Sequence, residues 1–387
     1  MKCRVELSKC LNNVIDHRGL TPKKLGGSWA DTGYRAISAK NIKDGKLVQQ
    51  DSIRFVCESM YRKWMPEEVS KGDIILTSEA PFGEAIYWNS AEKIVLSQRV
   101  FGLKVNPEVC ESRYLYYWIK SPEFQGELRS RATGTTVVGL RQPELLKCHV
   151  NLPSLERQRQ ISEVLAAIDE FIQINNQIND YLEELALALY IENFEWTEEN
   201  LPAGWVFRPL SDFFPVKTGK KNANIASENG QYPFFTCSQQ SLSADCYSFE
   251  GSAILVAGNG DFNVKWYEGK FEAYQRTYVL MPYDPKLLGL LYCAVKRNLD
   301  RITSGSRGSV IKFITKSNIA DYSIAVPQEP ESHETVVRLN HILKAIDANK
   351  RESAILGELR NALLPRLMSG EIDVSKIDLT QPNNHFA

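Results

Sequence analysis

Two long stretches of the chain carry apolar residues at alternating steps of three and four. The first covers about 154–194, with Ile161, Leu165, Ile168 and Ile172, then Leu182, Leu185 and Leu189. The second covers about 331–368, with Val336, Leu339, Leu343 and Ile346, then Leu356, Leu359, Leu363 and Leu367. This spacing lays one apolar stripe along a helix face, close to a heptad repeat. No Pro or Gly interrupts the first stretch. Pro327 and Pro330 precede the second, Gly370 is its predicted stop, and Pro365 should bend or end its last turn. Each helix would be roughly 60 Å long at 1.5 Å per residue. A helix of that length cannot bury its own stripe, so the two are predicted to pack together. The middle of each stripe is polar, around Asn175-Asn176 and Asn349-Lys350. Asparagines in such a seam fix register at some cost in stability. Lys350 and Ser353 stand in the second helix where Ile172 and Asn175 stand in the first, so the predicted seam is imperfect.

The remaining chain reads as two mixed globular blocks. Short β-like runs such as Asp73-Ile74-Ile75-Leu76-Thr77 and Ala253-Ile254-Leu255-Val256-Ala257 are separated by turn signals, among them Lys71-Gly72, Glu250-Gly251 and Asn259-Gly260. The boundaries predicted are 1–152 for the first block, 153–196 for the first helix, 197–328 for the second block, 329–370 for the second helix and 371–387 for a tail. The blocks resemble each other in order and content. Gly72-Asp73-Ile74-Ile75-Leu76 matches Gly251-Ser252-Ala253-Ile254-Leu255, and Ser97-Gln98-Arg99-Val100 matches Tyr274-Gln275-Arg276-Thr277. Thr133-Gly134-Thr135-Thr136 matches Ser304-Gly305-Ser306-Arg307, Val150-Asn151-Leu152-Pro153 matches Ile324-Ala325-Val326-Pro327, and Ala167-Ile168-Asp169 matches Ala345-Ile346-Asp347. The spacing of these pairs is far longer than a solenoid repeat, so one unit, block then helix, is duplicated.

Charge changes its meaning once the chain is divided this way. The whole chain has a formal net charge of −1, which speaks against nucleic acid. By segment, residues 1–147 carry +6, 148–199 carry −9, 200–320 carry +5 and 321–387 carry −3. The blocks are basic and the helices acidic, an asymmetry that the total hides. The eight cysteines are scattered with no C-x-x-C pair, as in a reduced intracellular protein. No apolar run reaches transmembrane or signal-peptide length. A cytoplasmic protein with no membrane attachment is expected.

Catalytic signatures are missing. The sequence has no G-x-x-x-x-G-K-[ST] loop, no N-P-P-[YFW] run, no G-x-S-x-G elbow and no H-E-x-x-H. Gly258-Asn259-Gly260-Asp261-Phe262-Asn263 begins like a dinucleotide fingerprint but lacks the third glycine, and reads as a turn. A binding role gains weight over an enzyme, with no catalytic residue, no metal ligand and no cofactor assigned to this chain. What the blocks do carry is polar loops with basic and amide side chains. In the first block the candidates are Lys40, Asn41, Thr77, Ser78, Gln98, Arg99, Thr135, Thr136 and Arg141. In the second they are Thr236, Ser238, Gln239, Asn259, Asp261, Asn263, Gln275, Arg276, Ser306 and Arg307. Arg, Gln and Asn can donate and accept in pairs at purine edges, and Ser, Thr and Gly suit phosphate contacts. Taken singly these are ordinary solvated loops, and the Gln-Arg pair serves equally well as a structural bond between strands. Their recurrence at matched places favours double-stranded DNA as the partner.

The chain resembles the specificity subunits of type I restriction-modification systems over nearly its whole length. The resemblance rests on the duplicated order and on Leu155-Glu156-Arg157-Gln158-Arg159-Gln160-Ile161, Leu182-Glu183-Glu184-Leu185 and Leu359-Arg360-Asn361-Ala362-Leu363-Leu364 in the helices. In the second block it rests on Tyr232-Pro233-Phe234-Phe235-Thr236-Cys237-Ser238 and Ala273-Tyr274-Gln275-Arg276-Thr277-Tyr278. The fold class it implies is α+β, a pseudo-twofold duplication of a mixed α/β target-recognition domain followed by a long helix. The two helices would pack antiparallel as a coiled-coil-like spacer. It also implies a non-catalytic subunit reading a bipartite, asymmetric DNA target, one half-site per domain. Its expected partners are two modification (methyltransferase) subunits and two ATP-dependent restriction subunits, with S-adenosylmethionine, ATP and Mg bound on those partners. The rival reading is a stand-alone sequence-specific DNA-binding regulator, which would need no partner.

Overall fold

The computed structural model describes residues 3–134, 138–304 and 313–374. Both periodic stretches are continuous helices, Leu155–Phe194 and Glu334–Ser369. Pro365 does not end the second, which runs on through Leu367 and Met368. Those two side chains are buried while Pro365 is exposed, so burial of the last turn offsets the hydrogen bond that proline removes. Gly370 then stops the helix at φ +73°, its N–H donating to the Leu367 carbonyl at 3.0 Å.

The chain forms two compact units. The first comprises Met1–Ile172 and Ala354–Ala387, the second Gln173–Ser353. Each therefore holds one globular block with half of each long helix, whereas the predicted segments kept each helix whole.

In the first unit a four-stranded antiparallel sheet runs in the order Leu11–Asp16, Val100–Val105, Ile74–Thr77, Ala85–Tyr87. A three-stranded sheet runs Arg54–Val56, Tyr34–Ile37, Val95–Leu96, the last pair parallel. Cys3–Glu6 pairs with His149–Leu152, the strand leading into the first long helix. The helix Ser112–Lys120 buries Tyr114, Leu115, Tyr116, Tyr117, Trp118 and Ile119. Its core is shared with Ile161 and Leu165 of the first long helix and with Leu364, Leu367 and Met368 of the second.

The second unit repeats this plan. Six strands lie in the order Val216–Thr218, Thr277–Leu280, Phe249–Ala257, Val264–Ala273, Tyr232–Phe235, Leu242–Ala244. Trp205–Pro209 pairs with Ser323–Pro327 ahead of the second long helix. The helix Leu288–Arg297 packs with Tyr190 and Phe194 of the first long helix and with Val336, Leu339, Leu343 and Ile346 of the second. Gly251 and Gly269, at φ +124° and +135°, face each other across the long hairpin, a backbone conformation that side-chain-bearing residues avoid.

The antiparallel packing is read directly from hydrogen bonds in the second unit. Asn175 donates to Glu352 at 2.8 Å, Asn349 to Asn179 at 2.9 Å, and Thr335 to Asn193 at 3.2 Å. In the first unit Arg360 pairs with Asp169 at 2.6 Å. The predicted stripe needs two corrections: Leu185 and Leu359 are exposed. Ala186, Tyr190 and Leu364 are buried instead. A helix of 3.6 residues per turn drifts against a 3.5-residue repeat, so the buried position slips by one residue along the seam. Ile161, Leu165, Ile168, Leu339, Leu343 and Ile346 are buried, and Ile172, Leu182, Leu189, Leu356 and Leu363 are half-buried. Lys350, which looked misplaced in a seam, lies over the Trp266 ring at 5.0 Å, and burial lowers its pKa.

Candidate nucleic-acid interface

In each unit three chain segments are tied together through main-chain hydrogen bonds. In the first unit the strand Ile74–Thr77 ends at Ser78, whose N–H donates to the Arg99 carbonyl at 2.8 Å and whose carbonyl accepts from Leu140 N–H at 3.0 Å. In the second unit the strand Phe249–Ala257 ends at Gly258. Its N–H donates to the Arg276 carbonyl at 2.9 Å and its carbonyl accepts from Ile314 N–H at 3.1 Å. A Cβ at Gly258 would fall 2.5 Å from the Arg276 carbonyl oxygen, so only glycine fits. A fourth segment joins alike. Ser97 N–H donates to the Ile37 carbonyl at 2.8 Å, and Tyr274 N–H to the Phe235 carbonyl at 2.9 Å. The Gln-Arg dipeptide thus fills the structural role through its main chain. Its backbone bonds the segments together, and its side chains, Gln98 and Arg99 or Gln275 and Arg276, are exposed.

The other candidates divide by burial. Lys40 and Arg141 are exposed. Asn41 is fully buried: its carbonyl oxygen accepts from Ser38 N–H at 3.1 Å and Ser38 Oγ at 2.8 Å, and its amide donates to Ser52 Oγ at 3.2 Å. Thr77 is buried and accepts from Glu84 N–H at 2.9 Å, closing a hairpin. Both hold the loop in shape without reaching solvent. Ser78 Oγ is buried and has no hydrogen-bond partner among the described residues. In the second unit Ser238, Gln239 and Asp261 are exposed, and Thr236 and Asn259 are half-buried. Thr236 and Ser238 hydroxyls meet at 2.9 Å. Asn263 is buried, its amide donating to the carbonyls of Cys237 at 2.8 Å and Asp261 at 2.9 Å. Thr135, Thr136, Ser306 and Arg307 lie outside the described residues.

Two features around these loops were not anticipated by the sequence reading. Lys265 donates to Asn263 Oδ1 at 2.6 Å and to the Ser238 carbonyl at 2.5 Å, and burial lowers its pKa. A depression of about 650 Å³ in the first unit is bordered by Ser130, Arg131, Thr133, Arg141 and Glu144. The signal for it was present as Arg129-Ser130-Arg131, a basic helix end just before the Thr133 loop. Among the described residues no group of three His, Cys, Asp or Glu is placed to hold a metal ion, and no helix is long and apolar enough to cross a membrane.

The chain thus holds two units of one construction, each presenting a different polar edge. The chain belongs to the family of the type I restriction modification DNA specificity domain, whose profile matches residues 11–184 and again 202–356. It is 39% identical over 176 residues to the EcoDI specificity subunit of Escherichia coli, a match covering 44% of this chain and 39% of that protein. It is 25% identical over 401 residues to the MjaIX specificity subunit of Methanocaldococcus jannaschii, covering 92% of this chain and 87% of that one. A crystal structure of the S subunit of a type I restriction-modification system from M. genitalium superposes with a TM-score of 0.56. That superposition covers 95% of this chain and 96% of the other at 16% identity, and so bears on the fold alone.

Proposed function

We propose that each unit reads one short stretch of duplex DNA, so that the target is bipartite and, because the two edges differ in residues, asymmetric. The observation that carries this reading is the matched pair of three-segment ties, which present Gln98-Arg99 and Gln275-Arg276 at equivalent places with exposed side chains. Arginine and glutamine at such an edge suit guanine and adenine, and a neighbouring hydroxyl suits phosphate. The chain is proposed to act without catalysis of its own, as the recognition subunit of a complex. Two modification subunits and two restriction subunits would supply S-adenosylmethionine, ATP and Mg chemistry.

Docking is proposed for the helices. Ile174, Ile178, Tyr181 and Leu185 recur at heptad spacing on the first long helix and are all exposed, Tyr181 to 71%. A second apolar stripe left in water beside a buried one is what a partner protein would cover. The acidic balance of these segments makes them poor DNA surfaces.

The test is methylation. The chain is purified with a methyltransferase subunit from the same system, and adenine methylation is mapped on genomic DNA with and without it. Methylation confined to one split site supports the reading. A methyltransferase that gains no site preference from this chain refutes it.

A further inference from the structure

Arg99 leaves its strand end from a left-handed backbone, at φ +65°, a region that non-glycine residues rarely occupy. Its carbonyl is pinned by Ser78 N–H, so the side chain's point of departure is fixed. The next residue after Ser78 is Glu79, and its Oε1 lies 3.7 Å from Arg99 Nε. That separation is beyond hydrogen-bonding range, so the carboxylate orients the guanidinium by charge and leaves its donors uncommitted. Both side chains remain accessible, Arg99 to 49% and Glu79 to 32%. Glu79 is backed by the loop whose Thr133 and Gly139 exchange two 2.9 Å main-chain bonds, and a Cβ at Gly139 would sit 3.8 Å from its Cβ. The second unit also sets a carboxylate at this edge, but against a neutral amide and within hydrogen-bonding range. Gln239 Nε2 donates to Asp261 Oδ2 at 3.4 Å.

A carboxylate there is costly for a surface that only needs to attract phosphate, since it repels the DNA backbone and weakens the local positive field. It is useful for discrimination. A phosphate brings a full negative charge that Glu79 repels, whereas the acceptors on a guanine edge are neutral and engage the free donors of the guanidinium in a bidentate pair. Specificity of this kind comes from an added repulsive element as much as from an attractive one.

We infer that Glu79 is a specificity-determining residue, which holds the Arg99 guanidinium beside it and suppresses indiscriminate pairing of Arg99 with phosphate. This rests on the proposed DNA-reading role of the edge. Glu79→Gln, and Glu79→Ala as a second variant, are titrated as full-length chain onto a mixed-sequence duplex at salt concentrations between about 50 and 200 mM. Freed of Glu79, Arg99 neutralises one more phosphate. The plot of log affinity against log salt steepens by about 0.9, so that from about 50 to 200 mM the variant's affinity falls roughly threefold further than the parent's. The same substitution made on an Arg99→Ala background changes neither. An unchanged slope in both Glu79 variants overturns the inference and leaves the reading edge standing. An equal change with and without Arg99 also overturns it, as a general charge effect. If the parent chain shows no salt-dependent binding to the duplex, the DNA-reading role falls and the inference with it.

Discussion

The strand next to Ile74–Thr77 in the first unit is broken, and its counterpart in the second is not. Ala85–Tyr87 and Val95–Leu96 belong to separate sheets of four and three strands. Val264–Ala273 does the work of both and joins everything into one six-stranded sheet with the same strand order. The helices that back these sheets differ in a compensating way. Ser112–Lys120 fills its core with Tyr114, Tyr117 and Trp118, where the matching positions in the second unit hold Leu290, Cys293 and Ala294. Volume missing from that helix comes from elsewhere, through Phe213, Phe214, Trp266 and Tyr278. Interiors are packed to near-crystalline density, so a duplicated plan can trade volume between elements but cannot lose it. What is held constant between the units is the set of main-chain ties around Ser78 and Gly258.

The comparison breaks most sharply at Trp118, which is 1% exposed and donates from Nε1 to the His149 carbonyl at 2.9 Å. Trp118→Ala should destabilise the protein by about 3–5 kcal/mol in chemical denaturation. Ala294→Trp, the reverse exchange, should cost about 1–3 kcal/mol by overpacking. Equal tolerance of both would mean that the units do not partition volume as described. Next in size are the proposed base contacts. Arg99→Ala and Arg276→Ala should each weaken specific DNA binding by about 1–3 kcal/mol, and each should relax preference in a different half of the target. Loss of preference in both halves from one substitution would contradict the division of reading.

A pH measurement sharpens the comparison further. Glu127 is half-buried, and the burial alone would raise its pKa. Hydrogen bonds from His149 Nδ1 at 2.8 Å, His149 N–H at 2.9 Å and Arg131 at 2.8 Å outweigh it and hold the carboxyl at about 2. A lowered folded-state pKa stabilises above the ordinary value of 4.5 and is lost as pH falls from there toward 2. Acid should therefore remove about 1–2 kcal/mol over that window, with exposure of the cluster limiting the figure. Glu127→Gln should flatten this limb of the stability curve. Ser323 occupies the position of His149 in the second unit, so its variants should leave the limb unchanged. The smallest effect concerns Leu185. Being 49% exposed, Leu185→Ser should change stability by less than about 0.5 kcal/mol, while co-purification with the methyltransferase subunit should drop if the stripe docks it.

The long helices, their ends within a few residues and the duplication were legible in the sequence, because periodicity and repeated landmarks are strong local signals. The paired exposed Gln-Arg side chains were legible for the same reason, as a repeat with a chemistry. The broken strand was not. The chain leaves one strand at Tyr87 and enters the next at Val95, and nothing local says that the matching stretch in the other block runs straight through. The fate of loop polar groups was also hidden. Asn41 and Asn263 have the side chain of a base reader, yet their amides are consumed by neighbouring main chain and hydroxyl groups, a closure decided by tertiary contact. Leu185 and Leu359 were lost to the drift between a heptad pattern and a real helix.

The way the units share the long helices has a consequence for synthesis. The second unit is one uninterrupted stretch, Gln173–Ser353, whereas the first is interrupted by it and needs Leu364, Leu367 and Met368 to finish its core. On a ribosome, where domains fold as they emerge, the half of the protein begun first is the half completed last. Until the final helix turns are made, the first unit must wait with its aromatic core open, while the second can already be closed.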